Sequence, residues 1–321
     1  MSLSVKDLHI GYYGAVMGLA GLGLSARAAA PLFPGVVRAP AYVTEPWVAL
    51  GFLALLLLVP AYLVKLVRYP AAVREDFTDP GLLGFCGALP VGMTLVAGGI
   101  GPYAPALGDA LWWVGCALLF LFQVWALSRL LSGGIALDRI NAGWLIILVG
   151  GIVVPGPGIA LGHAEASHVF FGVSACVAPL LMALLLYRAA IGAPLPEALR
   201  PTWFILLVPP SLIYANGIAL FPGLDAFENL FYFGIVLALA LLLYARRLAR
   251  WPFGPPWWAF TFPLDALAYA AVHYAQAHPG ALWKAVAGIA LLLAAAFVSV
   301  DRKSTRLNSS HSDRSRMPSS A

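Results

Sequence analysis

Hydrophobic residues follow one another along this chain in ten long runs that are separated by short polar stretches. The runs cover residues 10–29, 44–67, 81–101, 107–131, 141–161, 166–189, 202–221, 228–249, 256–277 and 281–300. A helix that crosses a bilayer needs about 20 predominantly apolar residues. The pattern therefore predicts an all-α integral membrane protein with ten transmembrane helices.

Basic residues between the runs are divided unequally between the two sides of the membrane. If successive helices alternate in direction, one side collects Lys6, Lys65, Arg68, Arg74, Arg129, Arg139, Arg188, Arg200, Arg246, Arg247 and Arg250, and the other collects Arg27, Arg38 and Lys284. Cytoplasmic loops carry an excess of Lys and Arg. We therefore expect both termini to be cytoplasmic and the protein to lie in the cytoplasmic membrane of a prokaryote.

Helix-breaking residues recur in every second predicted helix. The third, fifth, seventh and ninth helices contain Pro90, Pro155, Pro209 and Pro263, and the first contains Gly14 and Gly18. Interrupted helices are tolerated in a membrane where they are buried in protein or line a cavity. The repetition predicts five helical hairpins around a central pore, with the kinked helices on the inside. Alternatively, the prolines reflect only the general frequency of proline in membrane helices.

Composition supports the membrane assignment and divides the chain into two parts. Hydrophobic residues make up 61% of the chain and charged residues 10%, whereas about 25% are charged in ordinary soluble domains. Residues 301–321 are polar and rich in Ser and Arg, and they supply more than half of the net charge of +5. We expect a transmembrane domain over residues 1–300 and a disordered tail over 301–321, whose abrupt change of composition suggests an origin in cloning or read-through. The remaining charge is too small to indicate nucleic-acid binding.

Motifs of soluble catalysis are missing from the sequence. It contains no P-loop, no HExxH and no GxSxG, so a nucleotide-driven pump or an enzyme is not expected, and no cofactor or metal site is predicted. The histidine pairs His163 with His168 and His273 with His278 leave open a different class, a membrane-embedded haem or metal protein. Interface solvation by these histidines is the simpler interpretation.

Residues 256–276 carry the most distinctive local sequence, with two tryptophans followed by an aromatic–Thr–Phe–Pro segment. This ninth run, with Trp257, Trp258, Phe262 and Pro263, resembles the corresponding helix of the family of the tellurite-resistance protein TehA and the plant slow-type anion channels. The surroundings of His9 and Gly14, of Pro90 and Thr94, and of Ser128 and Gly134 resemble the family's first, third and fourth helices. The resemblance runs from about residue 9 to residue 299.

The resemblance implies a fold of five helical hairpins around a central pore, usually assembled as a homotrimer. It also implies that Phe262 projects into the pore and occludes it. A bulky apolar ring at a narrow constriction blocks ions by filling space and by excluding water. The alternative is an ordinary packing role for this phenylalanine.

Asp265 is the only acidic residue deep within a predicted span. A charged side chain at the centre of a membrane helix costs about 2.5–3.5 kcal/mol on insertion scales, which makes such a residue a candidate functional group. It is either a proton site, or bonded to a partner on another helix, or bonded to backbone groups freed at Pro263. Thr94 and Ser211 follow prolines and are possible pore-lining residues, although such hydroxyls also bond their own helix.

These observations favour a pore-forming transport protein for small anions, driven by ion gradients or by the membrane potential. Anion preference would come from the backbone of the broken helices and from pore width. A proton-coupled carrier of C4-dicarboxylates or of a tellurite-type oxyanion, with Asp265 as its proton site, is the alternative. The expected partners are small inorganic or organic anions and the lipid bilayer.

Overall fold

The computed structural model describes residues 4–35, 43–246 and 255–314, and every element within these residues is helical. The α-helices are α1 (Tyr13–Ala29), α2 (Glu45–Arg68), α3 (Pro70–Thr78), α4 (Ala88–Ile100), α5 (Pro105–Leu131), α6 (Trp144–Val149), α7 (Pro155–Ala160), α8 (Ala164–Ile191), α9 (Val208–Leu220), α10 (Glu228–Tyr244), α11 (Trp258–Ala277) and α12 (Ala281–Arg314). Shorter 3₁₀ helices lie at Leu83–Gly87, Gly150–Ile152 and Glu197–Leu207.

Seven helical segments in the described part of the chain are long and apolar enough to cross a membrane. They are Glu45–Arg68, Leu83–Ile100, Pro105–Leu131, Ala164–Ile191, Glu197–Leu220, Asp225–Tyr244 and Ala281–Ser299, and Trp144–Ala160 is a shorter apolar helix. The all-helical, membrane-type fold class is therefore confirmed. The larger number of ten spans stays a prediction.

Each of the ten hydrophobic runs falls largely within helix, and two further features lie outside the prediction. The helix α3 follows α2 directly and carries Arg74, Glu75 and Asp76, so hydropathy gives no sign of it. The helix α12 continues to Arg314 and includes part of the segment for which we expected disorder. Arg38, Arg247 and Arg250, which entered the count of loop charges, lie outside the described residues.

Buried and exposed helices alternate along the chain. In Leu83–Ile100 and Glu197–Leu220, 94% and 89% of the most apolar stretch is buried, whereas the value is 22% in Glu45–Arg68 and 33% in Pro105–Leu131. The exposed helices present large apolar side chains such as Leu57 on their outer faces. Such a surface is compatible with lipid and not with water, so these helices form an outer layer around the buried ones.

The buried elements contact one another in a closed ring. Helix α1 packs against α4, and α4 with its preceding 3₁₀ helix packs against α6 and α7. The segment from α6 to α7 touches α9 and the 3₁₀ helix before it, both of these pack against α11, and α11 returns to α1. We call α1, α4, α6, α7, α9 and α11 the inner helices.

Glycines allow the inner helices α1 and α11 to approach closely. A Cβ atom at Gly18 would lie 2.6 Å from the Cβ of Thr261, and one at Gly21 would lie 3.0 Å from the Oδ2 of Asp265. Real Cβ atoms do not approach other heavy atoms this closely, so only glycine fits at Gly18 without displacement. This contact fixes the position of α11 within the ring.

Three of the predicted helix breakers lie in the first turn of an inner helix. Pro155 is the first residue of α7, Pro209 the second residue of α9 and Pro90 the third residue of α4. Proline is tolerated there because the first backbone N–H groups of a helix have no partner within it. Pro263 differs, since it lies inside α11.

Candidate functional site

A cavity of about 280 Å³ lies at the end of the ring where α1, α4, α9 and α11 begin. Its wall includes Gly14, Phe85, Leu145, Leu199 and Trp258, one from each part of the ring. Arg139 is its basic side chain, and we call this space the Arg139 cavity.

A second cavity, of about 830 Å³, lies towards the other end of α1, α4, α9 and α11 and is also lined by α7. Its wall includes Ser25, Leu95, Gly156, Asn216 and Asp265 from the later parts of the same helices. We call this space the Asp265 cavity.

Phe262 lies between the two cavities. It and Val153 are the residues that line both of them. The side chain of Phe262 is only 6% exposed. A Cβ atom at Gly21 would lie 3.1 Å from the Cδ2 atom of its ring, so the backbone of α1 backs the ring closely. The structure thus places the predicted gate residue at the junction of the cavities, without testing whether it closes a pore.

Local bonding around Phe262 connects α11 to α1. The hydroxyl of Thr261 donates to the carbonyl of Trp258 at 2.8 Å, and the hydroxyl of Ser25 donates to the carbonyl of Asp265 at 3.0 Å. Pro263 has no backbone N–H, so it cannot donate to the preceding turn of α11. The backbone that carries Phe262 therefore depends on side-chain and interhelical bonds as well as on its own helix.

Asp265 is almost completely buried in the wall of the second cavity. The residue is 1% exposed, and neither carboxyl oxygen has a hydrogen-bond partner within the described residues. An unpaired buried charge is costly. The carboxyl therefore stays a candidate proton site. Within the described residues, the side chain bonds neither a partner on another helix nor the backbone groups near Pro263, the two alternatives considered for it.

The other charged groups that line the Asp265 cavity have partners. Arg27 forms an ion pair with Glu45 at 2.8 Å and donates to the carbonyl oxygens of Gly98 and Gly99 at 3.3 and 3.1 Å. Asp109 contacts the ring of His163. Sequence reasoning missed the Arg27–Glu45 pair, because it forms where the end of α1 meets the start of α2.

The Arg139 cavity has a compensated charge at its mouth. Arg139 donates to both carboxyl oxygens of Asp79, each at 2.6 Å. His9, which precedes α1, also lines this cavity. Burial lowers the pKa of His9; nearby Asp76 raises it and Lys65 lowers it, both to a smaller extent. Burial therefore favours the neutral form of the His9 ring.

Several predicted site residues lie away from the two cavities. The hydroxyl of Thr94 donates to the carbonyl of Val91 in its own helix at 2.8 Å, which was the alternative interpretation. Ser211 is buried, with no partner for its hydroxyl in the described part of the chain. Pro90 and Pro155 are not among the lining residues, whereas Pro209, Pro263 and Gly14 line the Arg139 cavity. Their roles in a pore stay predictions.

The two histidine pairs are each divided between different surroundings. His163 stacks on Trp112, with ring centroids 4.7 Å apart, and His168 contacts the carbonyls of Ala164 and Leu220. His273 packs edge-on against Tyr269, and His278 stacks on Tyr274. Within the described residues, no three His, Cys, Asp or Glu side chains are grouped as metal ligands would be.

Comparison with known proteins identifies relatives along nearly the whole chain. The transporter MJ0762 of Methanocaldococcus jannaschii, whose name calls it uncharacterized, is 26% identical over 82% of this chain and 84% of its own length. The tellurite resistance protein TehA homolog of Haemophilus influenzae is 24% identical over 83% of this chain and 81% of its own. The S-type anion channel SLAH2 of Arabidopsis thaliana is 26% identical over 74% of this chain, which spans only 46% of the plant protein.

The family of voltage-dependent anion channels, SLAC1, matches residues 7–300. Its members above are named as channels, transporters or resistance proteins rather than as enzymes. The resemblance recognised in the ninth, first, third and fourth hydrophobic runs is thereby confirmed, and with it the assignment to a multi-pass membrane protein. The chain belongs to the SLAC1 family of voltage-dependent anion channels.

Proposed function

We propose that this protein conducts small anions through a pore that joins the Arg139 cavity to the Asp265 cavity and is closed by the ring of Phe262. The observation that carries the proposal is that Phe262 lines both cavities. A buried aromatic ring at such a junction excludes ions by its volume and by keeping water out. Anion transport itself is supported by family membership.

The architecture we propose for this pore is ten membrane spans arranged as five helical hairpins, with both termini in the cytoplasm. The alternation of buried and exposed helices supports it, because each inner segment is followed by an outer one. The cytoplasmic membrane of a prokaryote is the proposed location and a homotrimer the proposed assembly.

Selectivity in this pore would be weak among small anions. The basic groups Arg27 and Arg139 line the cavities, but each is paired with a carboxylate. A paired guanidinium offers an anion little net charge. Anions that lose their hydration shell easily should therefore pass best, once the phenylalanine ring is displaced.

Replacing Phe262 by alanine tests the gate. We expect Phe262→Ala to open a large chloride and nitrate efflux from proteoliposomes, because it removes the ring between the cavities while leaving their walls in place. Phe260→Ala is the matched control, since Phe260 lies on the same helix and packs against Phe204 and Phe297. Unchanged efflux in Phe262→Ala, or equal opening in Phe260→Ala, would contradict the gate.

A second candidate is a proton-coupled carrier of C4-dicarboxylates or of a tellurite-type oxyanion. The unpartnered, buried carboxyl of Asp265 favours it, because a carrier needs a group that gains and loses a proton within the transport path. Succinate uptake driven by a pH gradient would be its signature. In that case Asp265→Asn should abolish the dependence on the gradient, whereas the channel predicts chloride flux that needs no proton gradient.

A further inference from the structure

The wall of the Asp265 cavity contains three charged side chains, and two of them have a side-chain partner. Arg27 is paired with Glu45, and Asp109 contacts His163. Asp265 alone has no partner for either carboxyl oxygen in the described parts of the chain. Its protonation state therefore decides whether a buried negative charge without a partner lies in the wall of this cavity.

Asp265 also lies close to the junction between the cavities. It follows Phe262 by three residues on α11, which places both side chains on nearly the same helix face. The position of Gly21 confirms this proximity, because a Cβ atom there would lie 3.1 Å from the Phe262 ring and 3.0 Å from the Asp265 carboxyl. The carboxyl therefore lies beside the junction, in the wall of the Asp265 cavity.

The groups around Asp265 offer an ionised carboxylate little stabilisation. The Ser25 hydroxyl of α1 donates to the backbone carbonyl of Asp265, not to its side chain. The Asn216 amide of α9 donates to the carbonyl of Ile152 at 2.6 Å. The remaining titratable or charged groups of this cavity are Tyr269, Arg27 and Asp109. On α10, Tyr232 bonds Tyr274 and Glu228 pairs with His278.

We propose that Asp265 is a proton-binding site that sets the charge selectivity of the open pore. The proposal rests on the pore and gate described under the proposed function. With the carboxyl protonated, no negative charge lies beside the junction and anions pass. With it ionised, the fixed negative charge repels anions next to the junction and favours cations.

Reversal potentials across planar bilayers test this role. The parent is Phe262→Ala, which keeps the pore open, with a potassium chloride gradient and equal pH on both sides. We expect chloride selectivity at acidic pH and a progressive shift of the reversal potential towards that of potassium as the pH rises. In Phe262→Ala with Asp265→Asn, chloride selectivity should persist at every pH, because the amide cannot ionise.

Asp109→Asn in the same background is the matched control, since Asp109 lines the same cavity but contacts His163. It should keep the pH-dependent shift of the parent. Asp265→Glu retains a titratable carboxyl and should also keep a shift, with a changed midpoint, which separates charge from folding defects. A shift that survives Asp265→Asn, or that Asp109→Asn removes, would overturn the proposal.

The same recordings distinguish failure of this inference from failure of the pore itself. If folded Phe262→Ala carries no current at any pH, the pore and the role of Asp265 are both wrong. If it carries current whose selectivity is independent of pH, the pore stands and Asp265 has no such role.

Discussion

Lys65 and Asp76 form a buried ion pair that joins α2 to α3 near the start of the chain. The ammonium lies 2.7 Å from the carboxylate, and the side chains are only 4% and 7% exposed. Lys65 also donates to the backbone carbonyl of Leu8, and Tyr62 donates to the same carboxylate. The pair therefore ties the segment before α1 to the outer layer.

Removing one member of this pair should destabilise the protein strongly. In Lys65→Met, the carboxylate of Asp76 loses its counter-charge while it stays buried, and such a loss costs about 3–5 kcal/mol. Thermal unfolding in detergent would measure it. The double variant Lys65→Met with Asp76→Leu should recover part of the loss, because no buried charge is then left unpaired.

The ion pair of Arg139 and Asp79 is more exposed than the pair of Lys65 and Asp76 and serves as its comparison. Arg139 is about half exposed, at 51% of its side chain. Exposed ion pairs contribute about 0–1 kcal/mol, so Arg139→Met should leave thermal unfolding nearly unchanged. Equal losses in Arg139→Met and Lys65→Met would contradict the distinction between exposed and buried pairs.

At the scale of helices, the contact between α1 and α11 depends on the lack of a side chain at Gly18. The contact brings the backbone of Gly18 against the side chain of Thr261. Gly18→Ala inserts a methyl group into this space, and overpacking of this kind costs about 1–3 kcal/mol. We expect a lower unfolding temperature, and partial recovery when Thr261→Ala removes the opposing atoms.

Gly172 in α8 is the matched control, because a Cβ atom there would meet no atom within 4 Å. Gly172→Ala should stabilise the helix by about 0.5–1 kcal/mol through the lower flexibility of alanine in the unfolded chain. A destabilising Gly172→Ala, or a neutral Gly18→Ala, would contradict the claim that interhelical space determines which of these glycines can be replaced.

At the scale of the whole molecule, hydropathy predicted the positions of the helices well. A membrane helix must satisfy its backbone internally, so an apolar run of sufficient length determines the element by itself. The helix α3 escaped this reasoning because it is short and polar: Arg74 and Glu75 are exposed, and Asp76 is buried in an ion pair with Lys65. That pairing joins residues on different helices, and hydropathy carries no information about it.

The candidate site was predictable in part. The isolated acid within a span pointed to Asp265, and the family resemblance pointed to Phe262; the structure brings both to one helix face near the junction. Thr94 and Ser211 are pore-lining candidates in the sequence because they follow prolines. A helix break, however, does not determine which way a neighbouring side chain faces. The pairing of Arg27 with Glu45 depends on the meeting of two helix ends and has no local signal.

The inner helices α1, α4, α9 and α11 begin around the Arg139 cavity and continue to the Asp265 cavity. A helix carries a partial charge of roughly +0.5 at its first turn and −0.5 at its last. Because the helices are parallel, these partial charges add up instead of cancelling. An open path through the ring would therefore be electrostatically asymmetric. Anions would collect more readily at the Arg139 cavity than at the other end.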